Sequence, residues 1–135
     1  MGGAPRRDGG HGRVLSYRDL DIYQLAHELA VAVHRSTLSL PRFEAFEEAS
    51  QVRRSSKSVC ANIAEGFCRR RYKPEFIRFL TFAWGSCEET LEHLCLLKDT
   101  GSLAEDAASP LESQYHRLSS MIYSFLRSVE RDHKV

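Results

Sequence analysis

Residues 50–71 read SQVRRSSKSVCANIAEGFCRRR. Val52, Ser56, Val59, Ile63 and Phe67 recur at steps of three and four, which is the spacing of one helix face. Ser55, Cys60 and Ala64 lie beside that stripe. The face is poor in large side chains, so a second helix can approach it closely. The pattern predicts a helix from Glu44 to Glu65, with Gly66 at the C′ position, where a left-handed backbone suits glycine. After the glycine come an aromatic, a cysteine and three arginines.

Working outward, three further helical patterns appear and no convincing strand. Asp19 to Thr37 carries Leu20, Tyr23, Ala26, His27, Ala30, Val33 and His34 at helical steps, with Asp19 as the expected N-cap. A third helix is expected from Pro74, a residue suited to a first turn, to the stop at Gly101. Its stripe is Phe76, Leu80, Ala83, Cys87, Leu91, Leu94 and Lys98. A fourth is expected from Ser109, with Pro110 as its first helical residue. There Leu111, Tyr115, Leu118, Ile122, Phe125 and Val129 alternate steps of four and three, a heptad stripe.

Short connections make sequence neighbours antiparallel. The expected fold class is all-α, an antiparallel up-down-up-down four-helix bundle. A chain of 135 residues favours one domain, here residues 16–131. Residues 1–15, rich in glycine, read as a disordered, flexible N-terminal tail. Folding the second and third helices about a turn near residue 71 sets Gly85 opposite Ser56 to Ser58. Close backbone approach there is the expected reason for a glycine that costs about 1 kcal/mol within a helix.

The net charge of +1 hides a segregation. Residues 53–78 hold eight basic and two acidic side chains, whereas residues 79–135 hold five basic and nine acidic. Such a segment points to an anionic partner or to charge-complementary self-assembly. The candidate nucleic-acid contacts are Arg53, Arg54, Lys57, Arg69, Arg70, Arg71, Lys73 and Arg78. Phe67 and Tyr72 are interleaved with them as stacking groups. Replacing Arg69, Arg70 and Arg71 together is expected to weaken RNA binding and flatten its salt dependence.

Other chemistry finds little support. No apolar run approaches the roughly 20 residues that span a bilayer. The N-terminal arginines lack the apolar stretch of a secretory signal, so a cytoplasmic location is expected. The four cysteines, Cys60, Cys68, Cys87 and Cys95, form no C-x-x-C pair, which argues against structural zinc. His27 and His34 share a helix face, but no third ligand is indicated and the spacing of H-E-x-x-H is absent. Phosphate-loop, dinucleotide and nucleophile-elbow motifs are absent too. The expectation is a non-enzymatic protein with no cofactor, no metal and no small-molecule substrate.

The blocks YRDLDIYQLAHEL, SQVRRSSKSVCANIAEGFCRR and EFIRFLTFAWGSCEE, with the amphipathic last helix, resemble the 23S rRNA intervening sequence proteins, also called S23 ribosomal proteins. The resemblance covers about residues 16–130. Gln51, Asn62, Glu65, Gly66, Gly85, Ser86 and Glu89 match the family pattern, as do Arg54, Ser58 and Phe79. Glu48, Cys60, Trp84 and Cys87 depart from it. The resemblance implies a four-helix bundle that assembles into a ring, a homopentamer in the family. It also implies association with nucleic acid, RNA before DNA. Asn62 and Glu65 read as a polar network that fixes register or subunit orientation, against a direct role on RNA or in acid catalysis. The alternative function is a protein-interaction scaffold whose basic segment pairs with the acidic half of a neighbouring subunit.

Overall fold

A computed structural model describes residues 14–43 and 47–132. Among them are four helices: α1 (Asp21–Ser36), α2 (Glu48–Cys68), α3 (Lys73–Asp99) and α4 (Glu105–Asp132). A 3-10 turn, Tyr17–Asp19, precedes α1. α2 packs most extensively on α3, α3 on α4, and α1 closes the square by touching both α2 and α4. Among the described residues the diagonal pairs, α1 with α3 and α2 with α4, make no close backbone approach, and α2 and α4 meet only through side chains in the core. This is the expected up-down-up-down bundle.

The core is the set of stripes turned inward. Val52, Val59 and Ile63 of α2, Leu80 and Leu94 of α3, and Tyr115, Leu118 and Ile122 of α4 are fully buried. Each such side chain contributes about 1.5–3 kcal/mol relative to exposure, so these rows hold the bundle together. The α1 stripe lies further round than expected. Ile22, Ala26, Leu29 and Val33 face the core, while Tyr23 and His34 are half-buried and His27 is exposed. His27 thereby stays in solvent, whereas His34 keeps its Nδ1 buried.

Three boundaries differ from the sequence reading. Asp19 is not the α1 cap. It sits in the 3-10 turn, where its Oδ2 accepts the backbone N–H groups of Leu15 and Ser16, each at 3.1 Å. Ser16 Oγ accepts the Arg18 N–H in return, which makes this a capping box. The expected start of the second helix, Glu44, lies outside the described residues. α4 begins at Glu105 rather than Ser109, so Pro110 falls inside the helix. The Ala104 carbonyl takes the N–H groups of Ala107 and Ala108, and the extra turn buries Leu103 and Ala108. That burial offsets the hydrogen bond lost at proline. Gly101, with φ +80°, does end α3.

The third difference concerns the two helical glycines. Gly66 lies within α2, its backbone outside the left-handed region, so it is not a C′ residue. A Cβ there would stand 3.1 Å from Phe79 Cβ and 3.5 Å from the Phe76 carbonyl oxygen. It is Gly66 that permits the close approach of α2 and α3. Gly85 faces open space, with nothing within 4 Å of a Cβ. The register was nonetheless legible. Ser58 Oγ lies 3.0 Å from Ser86 Oγ, next to Gly85, and Ser55 Oγ lies 2.8 Å from Thr90 Oγ1.

Candidate nucleic-acid interface

The eight expected cations do not form one patch. Arg53, Arg54 and Lys57 lie in the first half of α2. Arg69, Arg70, Arg71 and Lys73 lie at the α2–α3 turn. Lys57 and Arg69 are twelve residue steps apart along α2, about 18 Å along the axis.

The first group divides by task. Arg53 is half-buried and donates through Nη1 to Thr37 Oγ1 at 2.8 Å and to the Thr37 carbonyl at 3.3 Å. It caps the C-terminal end of α1, where a cation meets the negative end of the helix dipole. Arg54 and Lys57 are exposed, with no side-chain partner among the described residues.

The turn divides in the same way. The N–H of Arg70 bonds to the Phe67 carbonyl at 3.1 Å and that of Tyr72 to the Arg69 carbonyl at 2.9 Å, so the chain reverses tightly. Arg69 pairs with Glu65 at 2.6 Å and Glu75 at 3.5 Å, and lies 5.1 Å from the Phe79 ring centre. Arg70 folds back, its guanidinium 3.9 Å from the Phe67 ring centre and its Nη1 donating to the Phe67 carbonyl at 3.0 Å. Arg78 pairs with Glu75 at 3.4 Å and lies near the rings of Phe79 and Phe82. Arg71 and Lys73 have no side-chain partner among the described residues, and Tyr72 beside them is 64% exposed. The cations left available for an outside partner are therefore Arg54, Lys57, Arg71 and Lys73. Surface pairs such as Arg78–Glu75 contribute at most about 1 kcal/mol, so Arg69 and Arg78 are held only lightly.

The family residues sort between inside and outside. Asn62 Nδ2 donates to the Ser58 carbonyl at 2.9 Å and to Ser58 Oγ at 3.0 Å. With Ser86 this forms a polar seam between α2 and α3. Glu65 holds Arg69, and Gly66 admits Phe79. Gln51 is exposed, and no contact explains it.

Several interactions escaped the sequence reading. Glu48 lies 2.9 Å from His93 Nδ1, and His93 Nε2 lies 3.4 Å from Glu89. Trp84 Nε1 donates to Ser119 Oγ at 3.0 Å, and Ser119 donates to Glu88. Glu48 and Trp84 were visible as departures from the family pattern, but their partners are 45 and 35 residues away. Two thiols are held protonated, burial pushing Cys60 up to about 11 and Cys87 up to about 12. Cys87 also donates to the Tyr115 carbonyl at 3.5 Å. Among the described residues no group of His, Cys, Asp and Glu is placed to hold a metal ion.

A line of aromatic groups along α1 was missed as well. Tyr17 and Tyr23 meet edge-on with ring centres 4.9 Å apart, and Tyr23 and His27 follow at 5.9 Å. The four-residue step from Tyr23 to His27 was the available signal.

Four antiparallel helices and a polar α2–α3 seam define a small all-α bundle. The sequence profile of the 23S rRNA-intervening sequence proteins matches residues 18–124, and the chain belongs to that family. The fold is similar to that of a protein of unknown function from the S23 ribosomal protein family of Bacteroides thetaiotaomicron. The TM-score is 0.72 at 22% identity, covering 78% of this chain and 95% of the other. No curated protein matches the chain. Among the described residues, no helix is long and apolar enough to cross a membrane.

Proposed function

We propose that the protein is a non-enzymatic, nucleic-acid-associated bundle, with RNA the favoured partner, that works in the cytoplasm as a ring-shaped homo-oligomer. The observation that carries this reading is the sorting of the cations. Arg53, Arg69, Arg70 and Arg78 are engaged by the fold, whereas the exposed Arg54 and Lys57 on α2, and the exposed Arg71 and half-buried Lys73 on either side of the exposed Tyr72, have no side-chain partner among the described residues. Cations supply sequence-independent affinity by releasing counterions, and an exposed aromatic ring adds stacking. The family's association with rRNA intervening sequences supports RNA as the partner.

The ring part rests on the outer face of α3. Gly85 faces open space there, one turn from Phe82, which is 46% exposed. A glycine whose Cβ position meets nothing among the described residues, beside an exposed phenylalanine, suits close approach by a neighbouring subunit. In a pentamer, as the family resemblance implies, each outward cation would recur five times, and avidity would strengthen weak single contacts.

The second reading, a scaffold in which the basic segment meets the acidic half of a neighbour, draws on the same face. Glu89 lies one turn beyond Gly85 and is 55% exposed. Salt separates the two readings. Binding of single-stranded RNA that weakens steeply with salt while the oligomer persists supports the first. An oligomer that salt dissociates, with no RNA bound, supports the second.

A further inference from the structure

α1 and α2 leave a groove of about 410 Å³ between them. That volume is in the range of small-ligand sites, about 300–1,000 Å³. Its floor is apolar, formed by Ala30 and Val31 of α1 and the half-buried Cys60 of α2. Every ionisable group on its walls other than that thiol is a nitrogen base: His27, His34, Arg35 and Lys57. Among the described residues no carboxylate lines it. His34 Nδ1 is buried there without a hydrogen-bond partner among the described residues, a polar atom that the fold leaves unused.

Two other apolar grooves among the described residues differ. The larger, about 620 Å³, is lined by Asp21 and serines and has no cation. The third carries Arg70, whose guanidinium is already committed to Phe67.

We propose that the α1–α2 groove takes the unpaired base of a nucleoside phosphate, with the phosphate beside Lys57 and Arg35. The base lies on the apolar floor against His27. Tyr23 lies beside His27, its ring centre 5.9 Å away, and extends the aromatic wall by one ring, while Tyr17 meets Tyr23 edge-on and is itself covered by Arg18. Lys57 is one turn from the outward Arg54, which joins the groove to the cations already described. Cys60 presents a neutral thiol, because burial pushes it up to about 11, so the floor does not repel an anion. The inference rests on the nucleic-acid reading for the polymer as its source, and a free nucleotide carries the same chemistry.

The test uses the full chain, with uridine monophosphate and a short labelled oligouridylate as probes, the latter alone and as a duplex. Nuclear magnetic resonance maps the nucleotide, and fluorescence anisotropy measures the RNA. The nucleotide is expected to shift the signals of His27, Val31 and Lys57 first. A30W, which fills the groove, is expected to weaken single-strand binding about tenfold and leave duplex binding unchanged. Shifts confined to Arg71–Lys73, or single-strand binding unchanged in folded A30W, overturn the groove and leave the wider reading standing. If A30W does not fold, the wild-type shift map alone decides. Nucleotide shifts in the groove without RNA binding keep the site, name the free nucleotide as its ligand and refute the nucleic-acid reading. Binding of neither probe overturns both.

Discussion

Gly66 and Gly85 are both helical glycines at family positions, yet they face opposite surroundings. Gly66 is closed over by its own chain, with Phe79 Cβ 3.1 Å from where its own Cβ would be. Gly85 is open, with nothing within 4 Å. The first glycine has its physical reason inside the subunit. The second costs helix stability, and no contact among the described residues accounts for it. The basic residues divide along the same line, Arg53 and Arg70 turned to the fold and Arg54 and Arg71 turned away from it.

The largest expected effect breaks the closed side. Gly66→Leu forces a side chain against Phe79 and the α3 backbone, and is expected to cost about 2–3 kcal/mol, measured by urea unfolding. A stable Gly66→Leu protein would mean that α2 and α3 are not so close. The second probes the same side through pH. The Cys87 thiol is pushed from an ordinary 9.0 up to about 12, with burial as the main cause and Glu88 adding to it. A raised folded value contributes stability that is fully present below pH 9.0 and is lost as pH rises toward about 12. Thermal unfolding should show about 1–2 kcal/mol lost by about pH 10.5, and a shallower loss in Cys87→Val.

Smaller changes probe the open side. Gly85→Ala is expected to raise the stability of the isolated subunit by about 0.5–1 kcal/mol, because alanine is the better helix former and meets no atom. The same change should loosen an oligomer that packs on this face, read by sedimentation. A fall in subunit stability would show that the face is not open. Arg71→Gln with Lys73→Gln should change stability by less than about 0.5 kcal/mol, since neither side chain has a partner to lose among the described residues.

Most of the fold was legible because its signals are local and repeated. The stripes of α2, α3 and α4 each supply several residues at helical steps, and the structure buries nearly all of them. The ends were less legible. Pro110 looks like a helix start, but burial of Leu103 and Ala108 carries α4 one turn further back. Gly66 looks like a helix stop, and only its Phe79 neighbour on another helix shows why it is there. The cations were legible as a set but not in their tasks. Sequence spacing cannot tell Arg53, bound to Thr37, from Arg54 beside it, because the deciding partner is 16 residues away.

The central claim is that the outward cations meet phosphate, and the salt dependence of single-stranded RNA binding tests it most directly. Anisotropy titrations across a salt series should show affinity falling linearly on a log–log plot. The Arg71→Gln/Lys73→Gln variant should lower that slope by about 1.4, two phosphate contacts at about 0.7 each. Absence of binding at low salt, or a slope unchanged by the double substitution, would contradict the account.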